Sequence, residues 1–110
     1  MTPPESNPPF RGTESFEWDD GNSYKNWTRH RVTQAECEQV LLGRPLVVRP
    51  DAGHSAAEPR HMALGQTAAG RLLMVAFTIR GQRLRVISAR PMSRRERESY
   101  AKAQTSREDS

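Results

Sequence analysis

Residues 61–90 read HMALGQTAAG RLLMVAFTIR GQRLRVISAR, and the fold is decided in this stretch. Leu72 to Ile79 is the most hydrophobic segment of the chain, of strand length and bounded by turn residues, which predicts a central strand. Before it, His61-Met62-Ala63-Leu64-Gly65 forms a second strand, joined through the turn Thr67-Ala68-Ala69-Gly70. After it, Arg80-Gly81-Gln82 turns into a third, Leu84–Ala89. Strands joined by turns this short pair antiparallel. In the last one, strict alternation places Arg83, Arg85 and Ile87 on one face and Leu84, Val86 and Ser88 on the other.

Outward from this core, Pro45 opens a strand at Leu46-Val47-Val48, stopped by Arg49-Pro50-Asp51. The polar stretch from Asp51 to Pro59 is too irregular for an element and reads as a functional or mobile loop. Thr33-Gln34-Ala35-Glu36 has the spacing of a capping box, with Val32 as its hydrophobic staple. The helix it begins carries Ala35, Val40 and Leu41 on one stripe and ends at Gly43. A shorter helix is predicted over Ser23 to His30, with Tyr24 and Trp27 on one face. Phe16 and Trp18 alternate with polar neighbours in a short half-buried strand. A second capping box, Ser93-Arg94-Arg95-Glu96, starts a terminal helix ending near Ala103.

These elements give one domain, residues 15–103, between two disordered tails: the proline-rich residues 1–14 and residues 104–110. The class is α+β: a small antiparallel β-sheet with two N-terminal helices and one C-terminal helix packed on one face. The opposite face would then carry much of the arginine as a shallow basic platform.

The net charge of +4 is unevenly spread over the 110 residues. Residues 1–20 hold one arginine against five carboxylates, whereas residues 21–103 hold fifteen Lys or Arg against six Asp or Glu. Thirteen of those fifteen are arginine, which suits forked contacts to phosphate. Such a body implies a polyanionic partner, nucleic acid first, or else a solvated basic surface that keeps the protein soluble. Hydrophobic residues make up 35% of the chain, and no run is long enough to cross a bilayer, so no membrane partner is expected. Met1-Thr2-Pro3-Pro4-Glu5 lacks the features of a secretory signal, which leaves the cytoplasm as the expected compartment. The single cysteine, Cys37, lies between Glu36 and Glu38, where neighbouring carboxylates suppress a thiolate; it reads as a half-buried structural thiol. Three histidines and one cysteine show no zinc-site spacing, and no glycine loop cradles a phosphate, so neither metal nor cofactor is expected.

Several segments in this order resemble the BrnT family of type II toxins. They are Phe16-Glu17-Trp18-Asp19; Lys25-Asn26-Trp27 with Arg29-His30-x-Val32; Asp51-x-x-His54-Ser55-x-x-Glu58-x-Arg60; Ala63-Leu64-Gly65 with Gly70-Arg71-Leu72-Leu73 and Val75-x-Phe77-Thr78; and Arg85 to Arg90 with Arg94-Arg95-Glu96-Arg97-x-x-Tyr100. Arg31 stands where that family usually has glycine, and Pro59 and His61 flank Arg60 where it has an acidic and an aromatic residue. The resemblance implies a RelE-like fold and an RNA endonuclease that halts translation. It also implies a BrnA-type antitoxin as partner, with operator DNA bound only through the toxin–antitoxin complex.

Metal-free RNA cleavage needs a base for the ribose 2′-OH, cations for the charge developing on phosphate, and an acid for the leaving 5′-oxygen. The candidate catalytic residues are His54, Glu58, Arg60, Arg90 and Tyr100. His54 is base or acid, or a loop histidine with no role. Glu58 is a base, an orienter of Arg60, or solvated charge. Arg60 and Arg90 would stabilise the phosphate, and Tyr100 is an acid or a stacking ring, or else a core tyrosine packing its helix on the sheet. Candidate nucleic-acid contacts are Lys25, Arg80, Arg85, Arg94, Arg95 and Arg97; for strand arginines the plain alternative is charge that blocks edge-to-edge sheet pairing. His30 reads as a helix-end residue favoured by the helix dipole, and His61 as a weaker candidate. Beside the nuclease stand a non-catalytic nucleic-acid-binding module and a degenerate toxin that only binds its antitoxin.

Overall fold

The computed structural model describes residues 15–18, 29–51 and 59–108. Its elements are β1 (Ser15–Glu17), α1 (Gln34–Leu42), β2 (Val47–Pro50), β3 (His61–Gln66), β4 (Leu72–Arg80), β5 (Arg83–Pro91) and α2 (Arg94–Glu108). Arg29 and His30 are helical; the rest of the segment expected to form a first helix lies outside the described residues.

β4 is buried without a break from Leu73 to Thr78, and a strand apolar on both faces needs a cover on each. Leu73, Val75 and Phe77 pack against Val40 and Leu41 of α1. Met74 and Ala76 point the other way and pack against Met92 and Tyr100, just before and within α2. The two helices therefore sandwich the sheet, which corrects the expectation that both lie on one face.

The sheet order is β1-β5-β4-β3-β2. β2 to β5 pair antiparallel as expected, and the β4–β5 hairpin turns through Gly81 at φ +61°, a conformation glycine adopts without strain. β1 instead pairs parallel with β5, setting Phe16 opposite Leu84, so the sheet is mixed. No short turn links these two strands. The partner is chosen by burial: Phe16 and Trp18 pack on the α1-side core, and the Trp18 indole donates to Glu38 of α1 at 2.9 Å.

A bulge breaks the alternation of β5. Phe77 faces Val86 while Ala76 faces Ser88, which leaves Ile87 as an extra residue. Ser88 is thereby placed on the face of Ala76, away from Leu84 and Val86, contrary to strict alternation. Arg85 and Arg90, five residues apart, come to share the α2-side face.

Both capping boxes form. Glu36 N–H donates to Thr33 Oγ1 at 3.1 Å, and Thr33 N–H donates to the Glu36 carboxylate at 3.0 Å. Ser93 and Glu96 repeat the pattern at 3.2 and 2.8 Å. α2 runs to Glu108, past the expected end near Ala103, in a sequence with no glycine or proline to stop it. α1 lies so close to the sheet that a Cβ on Gly65 would sit 2.9 Å from Val40 Cγ1.

Cys37 is fully buried rather than half-buried. Burial first, then the adjacent Glu36 and Glu38 carboxylates, push its thiol up to about 12. Native protein is therefore expected to leave a thiol reagent such as DTNB unreacted and to react only on unfolding. Full labelling of folded protein within minutes would contradict this packing.

Candidate nucleic-acid interface

α2 begins where β5 ends and crosses one part of its face toward β2. The Tyr100 hydroxyl donates to the Pro45 carbonyl at 2.8 Å, and Arg49 donates to Ser99 Oγ at 2.7 Å. The other end of β4 and β5 is left uncovered by the helix, and Arg80, Gly81, Gln82 and Arg83 are all exposed there.

That end is basic. Thr78 stands opposite Arg85, and Arg80 stands directly opposite Arg83. Like charges opposite each other across a strand pair repel, an arrangement suited to an anion lying over them. Glu17 of β1, paired with Arg85 in register, receives its guanidinium at 3.3 Å. The buried Thr78 donates from Oγ1 to the Pro59 carbonyl at 2.7 Å, and Asp51 N–H donates to the Arg60 carbonyl at 2.9 Å. The polar segment between β2 and β3 is thus pinned at both ends beside the arginines. His54 and Glu58 belong to that segment and, like Lys25, lie outside the described residues. Arg60 is half-buried, and the next residue, His61, stacks on Phe77 with ring centroids 5.3 Å apart.

The remaining candidates are placed elsewhere. Arg90 grips Glu96 with two hydrogen bonds, at 2.7 and 2.9 Å, and fixes the first turn of α2. Arg94 is exposed and faces Glu98 at 3.5 Å; Arg95 is exposed; Arg97 donates to the Met92 carbonyl at 3.0 Å. Tyr100 is 1% exposed, and its hydroxyl is engaged by Pro45. The core position, rather than a solvent-facing phenol, is what the structure gives it. Among the described residues no three His, Cys, Asp or Glu side chains gather as a metal site would require, and no described helix is long and apolar enough to cross a membrane.

Sequence reasoning passed over Glu17, Thr78 and Arg71. No local signal exists for Glu17, because its partner is set by the parallel pairing. Arg71 ties the chain before α1 to β4: it donates to the carbonyls of Arg31 at 2.7 Å and His30 at 2.9 Å, and pairs with Glu36 at 3.2 Å. Arg31 holds a left-handed backbone, φ +55°, at the position where glycine was noted as usual.

Glu36 and Glu96 are alike in holding both a cap and an arginine. Burial raises each pKa. For Glu36 the Thr33 amide and Arg71 outweigh it, and for Glu96 Arg90 and the Ser93 amide do, so both carboxyls lie below the ordinary 4.5. A depressed carboxyl contributes stability that is present at neutral pH and is lost as pH falls through its folded pKa. The melting temperature is therefore expected to hold from pH 7 to about 5 and to drop below about 4.5. Glu36→Gln with Glu96→Gln should flatten that drop. An unchanged slope would remove these two pairs as its source.

A family model described as the ribonuclease toxin BrnT of type II toxin–antitoxin systems matches residues 18–96. The 1.1 Å crystal structure of the Brucella abortus ribonuclease toxin BrnT is similar to this chain, with 28% identity and a TM-score of 0.58 over 74% of this chain and 100% of that one. No curated protein matches significantly. The matched span takes in α1, β2 to β5 and the capping box that opens α2, and the chain belongs to the BrnT family of ribonuclease toxins of type II toxin–antitoxin systems.

Proposed function

We propose that this protein is a metal-independent endoribonuclease of RelE-like fold that cleaves RNA in the cytoplasm, halts translation and is neutralised by a BrnA-type antitoxin, through which alone it engages operator DNA. The observation that carries this reading is the cluster of Arg80, Arg83 and Arg85 around Thr78, on a rigid sheet and beside the pinned ends of the segment bearing His54 and Glu58. Rigid strands hold cations where charge develops without reorganisation at the moment of reaction.

In this mechanism Arg85, with Arg60 and Arg80, stabilises the phosphate as the ribose 2′-oxygen attacks it. His54 or Glu58 removes the 2′-OH proton, and the other delivers a proton to the departing 5′-oxygen. The products are a 2′,3′-cyclic phosphate and a 5′-hydroxyl. Arg90 acts by setting the first turn of α2, from which Arg94, Arg95 and Arg97 meet the RNA backbone, with Lys25 as a further phosphate contact. Tyr100 has no chemical part. An acidic segment of the antitoxin would cover the arginines, where complementary charge speeds association.

The test is purified protein with end-labelled RNA in EDTA, with and without antitoxin. Cleavage that survives EDTA, leaves cyclic-phosphate ends and stops with antitoxin is expected, and His54→Ala or Arg85→Ala should slow it by roughly 100-fold or more. RNA that is bound with steep salt dependence yet stays intact, with or without added metal, would make this a binding module.

A further inference from the structure

The end of the sheet opposite the arginine cluster carries a second surface feature. A groove of about 720 Å³ lies between the C-terminal half of α1 and the β3–β4 hairpin, lined among others by Glu38, Gln39, Leu42, Arg44, Gln66 and Ala68. Leu42 projects there 68% exposed, the one large hydrophobic so exposed among the described residues.

The lining is wrong for RNA. It holds one cation, Arg44, whose guanidinium donates to the Gly43 carbonyl at 2.7 Å, and one carboxylate, Glu38, which holds the Trp18 indole. Polyanions are bound by groups of cations, and the lining has no such group: Arg80, Arg83 and Arg85 stand at the far end of β4, eight residues or roughly 26 Å away. An exposed leucine in a groove of neutral amides suits a protein segment that inserts an apolar side chain and hydrogen-bonds around it. Family membership supplies the protein: a type II toxin works with an antitoxin.

We propose that this groove anchors the antitoxin through an apolar side chain seated on Leu42, apart from the arginine face. It rests on the antitoxin that family membership implies and is independent of the ribonuclease reading. The arginine face governs how fast the antitoxin arrives, in a salt-dependent way, and the groove governs how slowly it leaves.

The experiment measures association and dissociation rates of the full chain with the antitoxin of its own operon, for the parent protein, Leu42→Asp and Ala68→Arg. Both changes sit at exposed positions, and the melting temperature confirms that each variant folds. Expected are a dissociation rate raised roughly 30-fold, an unchanged association rate, and RNA cleavage equal to the parent's. Wild-type dissociation in both folded variants would overturn the proposal. So would a change in self-association by ultracentrifugation with antitoxin binding intact, since the groove would then join two copies of this chain. If the parent itself cleaves no RNA, the ribonuclease reading fails while the groove still stands or falls on the dissociation rates.

Discussion

Tyr100→Ala is expected to destabilise the protein by about 3–5 kcal/mol, the usual loss for truncating a buried aromatic ring. Beyond the Arg90–Glu96 pair at its first turn, α2 has few other anchors among the described residues. Its sequence is mostly charged, and the cluster under it draws only Met92 and Tyr100 from this end of the chain. The Arg49–Ser99 hydrogen bond is exposed and adds little. Removing the ring leaves a cavity over Leu64, Met74 and Ala76, so the melting temperature should fall by more than 12 °C, at about 4 °C or more per kcal/mol for a domain of this size. Hydrogen exchange should show α2 released before the sheet opens. Tyr100→Phe separates packing from chemistry. It forfeits one hydrogen bond, about 1 kcal/mol, and should cleave RNA like the parent. A well-folded Tyr100→Phe that has lost cleavage would show that the phenol reaches substrate.

Arg71→Ala is the other large effect, expected at about 2–3 kcal/mol. Charge-assisted hydrogen bonds contribute about 1.5–3 kcal/mol each when enclosed. The Arg71 and Glu36 side chains are 34% and 24% exposed, so the three interactions sum to much less than their ideal values. The same substitution frees the carbonyl that secures the left-handed Arg31, a conformation that costs about 1 kcal/mol in a residue with a side chain. Arg71→Lys keeps the charge but presents no fork to bridge two carbonyls and a carboxylate, so it should recover less than half of the loss. Chemical denaturation of the three proteins measures this directly. Equal stability of Arg71→Ala and parent would mean that the turn before α1 is held by its own packing.

Much of this architecture was legible from residues 61–90. The hairpins, the central strand and both capping boxes follow from local rules, and they form. The same run carries a further consequence: eight largely apolar residues in a row leave neither face of β4 fit for water, which already asks for helices on two sides. The direction of β1 was not legible, because Phe16 and Leu84 meet through burial across most of the chain. Nor was the bulge. Ile87 carries no mark that distinguishes an inserted residue from an alternating one, and without it Arg85 and Arg90 fall on opposite faces.

The site was legible as a composition more than as a geometry. Arginine in strands singled out Arg80 and Arg85, and the structure sets both beside Arg83 at one end of β4 and β5. The pairing of Arg90 was within reach: Glu96 is the fourth residue of a capping box that begins three residues after Arg90. For Tyr100 the competing core reading described the outcome, as the lone aromatic of a polar helix has nowhere else to contribute.

The parallel seam between β1 and β5 also bears on time. Hairpins β3–β4 and β4–β5 close over turns of a few residues, whereas the seam brings Glu17 to Arg85 across 68 positions. Chain entropy makes such a closure slow until its docking surface exists. As the protein emerges from synthesis, β1 comes first and must wait, unpaired, until β5 has followed. During that interval the basic face lacks Glu17, so newly made chains would present Arg85 without its carboxylate before the native sheet is complete.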